Sequence, residues 1–299
     1  MLLRILVSRH SAFYSPLIAT LAGPFLKSVG LEASYGVLPP QLTSREALLR
    51  GEADVIQSAV SSSFGPLERG ITGLPVHFAQ INQRDGFFLV GRKQDPEFQW
   101  RTLEKHTLLA DHAGQPLAML RYALRHQGVD LARVRWLDAG SPEQIATSFR
   151  LGVGDYVHLQ GPAAHQLAWE GIGSVVASVG EAMPPVAFSS LTATREFVEG
   201  ETGQRFLQAY TMAREWVRTA PAVEIAWQEA AYFPGIAEEA LAAAISEYQK
   251  LGCWEGETGI SPELYEQALN VFEVSGAITR RHPYQSVVWT PGSAGGTFT

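Results

Sequence analysis

The chain has 299 residues, 46 % hydrophobic and 18 % charged, a balance that suits one large core or two smaller ones and excludes disorder and fibrous repeats. A formal charge of −7, from 23 basic and 30 acidic side chains, provides no field for holding a polyphosphate backbone, so no nucleic-acid partner is expected. Cys253 is the single cysteine, which excludes an internal disulfide and a cysteine-built metal cluster.

Residues 2–8 form a nearly continuous apolar run, the pattern of a buried strand, and it stops at Arg9-His10-Ser11. With Arg4 inside it and polar residues soon after, this run is neither a signal-peptide core nor a membrane span, and no transmembrane segment is expected. Localisation stays open between the cytoplasm and export of a chain whose leader has been removed. Ser15-Pro16 reads as a cap with proline in the first turn, and Leu17, Leu21, Phe25 and Val29 extend an apolar stripe to Gly30. A strand over 31–37, a helix over 44–50 and a strand around Val55-Ile56 follow. That alternation is the signature of a parallel sheet covered on both faces.

A helix over 61–69 and a strand over 75–80 come next. The apolar "GFFLVGR", 86–92, arrives after too few residues for another helix and reads as a return or crossover strand. After the linker "DPEFQWRTLEKH" a second series begins: strands over 107–110, 134–137 and 156–159, helices over 115–127, 142–149 and 163–170. Short strands broken by Pro184-Pro185 lead back toward the first half at 187–190, and four helices follow over 205–219, 222–232, 236–251 and 262–274. The glycine-rich "TPGSAGGTFT" carries no pattern and is expected to fray.

Two stretches do nearly the same thing. "LLRGEADVIQSAVSSSF" and "FRLGVGDYVHLQGPAAH" each run from a helix through a glycine and an acid into a short strand that ends polar where another helix starts. In a parallel α/β unit that end is the mouth of the sheet, where free N–H groups point outward. Gln57, Ser58, Ser61, Ser62 and Ser63 occupy it in the first copy, and His158, Gln160, Gly161 and Pro162 in the second. Gly51 and Gly152 serve the turn out of each helix. Asp54 and Asp155 are placed to accept backbone N–H bonds beside their strands.

The order of these motifs resembles the type II periplasmic-binding-protein fold, in the branch of thiamine-precursor-synthase-like and sulfonate- or nitrate-binding ABC-transporter solute-binding proteins. The resemblance rests on "LVSRHSAFYSPLIA", "ALLRGEADV", "TLEKHTLLAD", "RLGVGDYVHLQGPAAHQL" and the late "YFPG", "YQKLGCW" and "SPELYEQALN", and spans about residues 2–275. It implies an α/β chain of two lobes with a hinge, plus C-terminal helices: lobe 1 over 1–91, lobe 2 over 92–186, and a return to lobe 1 with a helical cover over 187–299. It also implies a small-molecule ligand between the lobes and, if the protein is exported, an ABC permease as partner. Three departures bear on the site. A glycine expected before the second lobe is absent from Leu103-Glu104-Lys105-His106, the glycine-serine segment expected at the next helix amino end, a ligand loop by family position, is replaced by Asp111-His112-Ala113-Gly114-Gln115, and Gly161-Pro162 stands where relatives often carry an acid before proline.

By family position and chemistry together, the candidate ligand-binding residues are Ser8, His10, Phe13, Tyr14, Gln57, Ser58, His112, Gly114, His158, Gln160 and Gly161. The histidines His10, His112, His158 and His165 can donate, accept and stack, which suits a flat nitrogen-containing or anionic organic solute. None has the close partner spacing of a metal site, and no metal or cofactor is expected. Phe13 and Tyr14 could cover a ligand face, or Phe13 could close the core beneath the loop. No serine lies in a nucleophile-elbow motif. Cys253, on or after a late helix, reads as a buried small side chain. The alternative function is an enzyme on the same fold, lyase/decarboxylase-like or pyrimidine-synthase-like. His10 or Asp85 would then be the acid–base group, with Arg9 or Arg84 clamping a carboxylate. A hinge salt bridge between Arg84 and Asp85 explains that pair equally well.

Overall fold

The computed structural model describes residues 2–110 and 114–292. Among the described residues ten strands form two five-stranded sheets: β1 (Leu2–Val7), β2 (Glu32–Val37), β3 (Val55–Ser58), β4 (Val76–Asn82), β5 (Phe87–Gly91), β6 (Thr107–Leu109), β7 (Arg135–Leu137), β8 (Tyr156–Gln160), β9 (Ser174–Ser178) and β10 (Ser189–Ala193). The first sheet runs β2-β1-β3-β10-β4 and the second β7-β6-β8-β5-β9. The two orders are the same pattern. In each, the fourth strand is antiparallel to its neighbours and comes from the other half of the chain: β10 in the first sheet, β5 in the second.

This exchange corrects one expected boundary. Residues 87–91 read as the end of the first lobe, yet β5 pairs with β8 and β9, so the chain has already crossed to the second sheet before Phe87. A uniformly apolar strand carries no sign of which sheet it joins, because both faces are buried in either case. The connections between sheets are therefore the residues after β4 and those between β9 and β10.

Local chemistry explains most element limits. The expected helix over 15–30 is two pieces, Ser15–Ala22 and Phe25–Ser28, because Pro24 has no N–H to continue the first. The expected helix over 61–69 is a 3-10 turn, Val60–Ser63, followed by the short helix Phe64–Glu68. Capping boxes at Thr43 with Glu46 and at Ser141 with Gln144 begin the equivalent helices Ser44–Leu49 and Pro142–Arg150 of the two halves. Both end at left-handed glycines, Gly51 at φ 66° and Gly152 at φ 88°.

The repeated acids then lock each strand start. Arg4 N–H donates to Asp54 Oδ2 at 2.8 Å while Asp54 N–H donates to the Arg4 carbonyl at 2.9 Å. In the second half, Thr107 N–H donates to Asp155 Oδ2 at 2.7 Å and Asp155 N–H to the Thr107 carbonyl at 2.9 Å. One carboxylate in each copy thus ties its own strand to the neighbouring parallel strand.

The C-terminal helices cover both halves. Glu201–Thr219 packs on Ser15–Ala22, Glu238–Lys250 on Ala163–Trp169, and Pro262–Val274 on Gly114–His126. Their buried aromatic residues Tyr210, Tyr248 and Tyr265, with Trp254 from the turn after Lys250, join a core shared with both sheets. Tyr210 donates its hydroxyl to the Gln80 carbonyl, and the Trp254 indole N–H donates to the Phe13 carbonyl at 3.2 Å. Among the described residues no helix is long and apolar enough to cross a membrane.

Candidate functional site

The parallel strands β1, β3 and β8 end at Val7, Ser58 and Gln160. Their exits face a cavity of about 440 Å3, within the usual range for small-molecule sites. The first half supplies Ser8, Arg9, Tyr14, Gln57, Ser58 and the 3-10 turn with Ser61 and Ser62; the second supplies Gly114, Gln115, Pro116 and Gln160. Phe188 and Ser189, on the return to the first sheet, and Phe272, from the last long helix, complete the wall. A side chamber of about 260 Å3 shares Arg9 and Gln160 with it and runs past His10 and Gly161. A larger hollow of about 520 Å3 belongs to the first half and the β10 strand alone, so size does not select it as the cleft.

The polar lining is held in place by its own hydrogen bonds. Gln57 is buried at the end of β3, and its Oε1 accepts from Ser8 N–H at 3.1 Å and Ser8 Oγ at 2.8 Å. Ser58 Oγ donates to Ser62 Oγ at 3.1 Å. Across the cleft, Ser61 Oγ donates to Gln115 Oε1, and Gln115 Nε2 donates to the Phe188 carbonyl at 2.7 Å. One amide therefore spans from the second half to the turn and return strand of the first. Gln160 is only 7 % exposed, and its Oε1 is enclosed with no hydrogen-bond partner. A buried amide oxygen in that condition is costly unless an incoming donor completes it.

Among the described residues lining this cavity, Arg9 carries the only formal charge, and Tyr14, Phe188 and Phe272 supply aromatic surface. The Arg9 guanidinium also lies 5.7 Å from the centre of the Phe87 ring. Hydroxyls and amides, one guanidinium and three rings can orient a flat polar molecule or an organic anion. Neither a nucleophile–base pair nor an acid–base dyad is present in that set, and among the described residues no group of three or more His, Cys, Asp and Glu converges for a metal ion.

No protein-family profile matches the chain. It is 26 % identical over 288 residues, 93 % of its length and 85 % of the relative's, to YtlA of Bacillus subtilis (strain 168), a protein provisionally named as a binding protein. The periplasmic aliphatic sulphonate binding protein SsuA from Escherichia coli superposes with a TM-score of 0.74 at 15 % identity, covering 96 % of this chain and 97 % of that one. A ligand-binding component of an ABC-type import system from Staphylococcus aureus does so with a TM-score of 0.72 at 14 % identity, over 97 % and 96 %. The chain has the type II periplasmic-binding-protein fold.

In this binding-protein fold, six of the residues singled out from sequence line the 440 Å3 cavity: Ser8, Tyr14, Gln57, Ser58, Gly114 and Gln160. His10 and Gly161 line the side chamber instead. His10 has no ring nitrogen to spare, since Nε2 donates to the Tyr232 carbonyl at 2.7 Å and Nδ1 accepts from the Tyr35 hydroxyl at 2.6 Å. Burial holds its pKa below the usual imidazole value, so the ring is a neutral strut against Phe233. His112 lies outside the described residues.

Two candidates belong to the core. Phe13 is fully buried against Phe188, Tyr248 and the crossover at Gly86, where any Cβ would come within 2.3 Å of the Phe13 ring. His158 is two residues before Gln160 on the same face of β8, one step deeper, and stacks on Phe87 with ring centres 4.3 Å apart. Neither lines the cavity. His165 is likewise buried, edge-on to Phe88, with burial pushing its pKa down to about 4.

The acid–base alternatives also fall away from the cleft. Asp85 is completely buried, lines none of the three hollows, and is pushed up to about 8 by burial, with Oδ1 accepting from Phe87 N–H at 2.7 Å. Arg84 donates to the Gly180 carbonyl at 3.0 Å, and among the described residues no ion pair joins it to Asp85. The Cys253 thiol is buried and its pKa is raised, which removes it from nucleophilic chemistry. Gln115, Arg9, Phe188 and Phe272 were not among the singled-out ligand contacts. Gln115 falls in the loop that the family resemblance makes a ligand loop, and Arg9 is a carboxylate clamp in the enzyme alternative, but nothing in sequence connects Phe272 to this site.

Proposed function

We propose that the protein is the solute-binding component of an ABC-type uptake system, closing two lobes on a small, flat, nitrogen-containing or anionic organic solute and presenting it to a membrane permease. The observation that carries this reading is the 440 Å3 cavity walled from both halves, with Arg9 and a ring of hydroxyls and amides but no carboxylate among its described residues. The segments after β4 and between β9 and β10 act as the hinge, since bending there separates the two sheets without breaking either. The kinship in fold with a periplasmic aliphatic sulphonate binding protein agrees with an anion beside Arg9.

The test is thermal melting of the full chain against aliphatic and aromatic sulfonates, aromatic carboxylates and aminopyrimidines. A ligand at a hundred times its Kd stabilises a folded protein by about 2.7 kcal/mol. One class should raise the melting temperature, and Gln57→Ala, Gln160→Ala and Arg9→Gln should each reduce the rise. A rise untouched by all three substitutions would show that the solute sits elsewhere. Mass spectrometry after incubation should return the solute unchanged, and accumulation of a product would favour the enzyme reading.

A further inference from the structure

The hollow of about 520 Å3 borders the cleft at the 3-10 turn Val60–Ser63, where Ser62 lines both and Ser63 lines the hollow. Two arginines, Arg45 and Arg69, line it. Among the described residues neither guanidinium makes an ion pair or hydrogen bond, and the Nε of half-buried Arg45 is enclosed without an acceptor. Glu46 also lines the space, but its carboxylate is already engaged. Oε2 accepts from Thr43 N–H at 3.0 Å and Thr43 Oγ1 at 2.7 Å, and Oε1 lies 3.7 Å from Arg50.

The floor is polar and satisfied. His77 is fully buried, with Nδ1 2.8 Å from both Ser190 Oγ and Thr192 Oγ1 and Nε2 3.3 Å from Ser63 Oγ. Leu38, Pro66, Ile71, Leu74 and Pro75 form an apolar wall. An enclosed guanidinium N–H without an acceptor calls for an oxyanion, which the planar fork can take in bidentate fashion. The apolar wall and the volume, far above that of a single inorganic ion, call for a carbon body behind it.

We infer that this hollow is a second ligand site, which takes a carboxylate or sulfonate of an organic acid between Arg45 and Arg69 and lays its apolar body against Leu74 and Ile71. It uses none of the interlobe cleft's charged groups, so its occupancy is independent of Arg9.

The experiment is isothermal titration of the full chain with naphthalene-2-sulfonate at low ionic strength, where exposed charges are least screened. Wild-type protein should show a binding event that the double variant Arg45→Gln/Arg69→Gln weakens at least about tenfold and that Arg9→Gln leaves in place. Leu74→Glu, which keeps both arginines and sets a like charge beside the sulfonate, should weaken the same event; unchanged circular dichroism and melting of each variant excludes unfolding as the cause. The inference is overturned if wild-type protein does not bind the probe, if all binding disappears in Arg9→Gln, or if the arginine and leucine variants bind as wild type does.

Discussion

Replacing Asp85 by asparagine should flatten part of the protein's response to pH. Asp85 is fully buried beside the first crossover, with Oδ1 held by Phe87 N–H and Oδ2 enclosed without a partner. Desolvation raises its pKa in the folded chain from 3.8 to about 8. The sign follows from the raised value. Between those limits the folded state keeps the proton that the unfolded state has released, so stability is greatest below the lower value and falls as pH rises toward the upper one. The slope for one such proton is about 1.4 kcal/mol per pH unit, so from about pH 5 to about pH 7 the group costs the fold roughly 2.7 kcal/mol. An asparagine carbonyl can still accept from Phe87 N–H, but the amide does not titrate. Urea unfolding of wild type and Asp85→Asn across this range should give a stability difference that moves by about that amount in the variant's favour. Parallel pH profiles, or a difference moving the other way, would refute the assignment of a buried, protonated carboxyl at the crossover.

Two further outcomes follow from the same geometry. Tyr248→Phe removes the hydroxyl that accepts from Gly161 N–H at 2.8 Å and donates to the Gly86 carbonyl at 3.0 Å; with Gly161 N–H left buried and unpaired, chemical denaturation should register a loss of about 1–3 kcal/mol. Asp54→Ala and Asp155→Ala each delete the acceptor for a backbone N–H of the neighbouring strand, that of Arg4 and that of Thr107, so each should cost about 1 kcal/mol by the same assay, and a neutral result at both would show that the repeated acids do not hold the strands.

Much of the architecture was legible because it rests on local periodicity. The strand cores are short apolar runs, Leu2-Leu3 and Ile5 to Val7 around Arg4 and Val55-Ile56 before the polar Gln57-Ser58, helices carry their stripes and caps, and the glycine–acid–strand device occurs twice at the same place in two similar halves. The mouth residues Ser8, Gln57, Ser58 and Gln160 were legible for the same reason. A polar residue at the carboxyl end of a buried parallel strand has the crevice as its outlet.

Tertiary structure decided the rest. Whether β5 completes the first sheet or the second depends on strands far later in the chain, β8 (from Tyr156) and β9 (from Ser174), and an apolar strand is equally soluble in either core. Phe13 and Tyr14 are neighbours with similar chemistry, yet one wedges under Gly86 and the other lines the cavity, because a glycine more than seventy positions on leaves room for only the first ring. His158 shares a face with Gln160, and only the packing of Phe87 across it separates a core histidine from a cleft amide. Local sequence determines which elements form and which of their ends are polar. The destination of each side chain is set by long-range contacts, and those exist only once the two halves have exchanged strands and the C-terminal helices have closed over them.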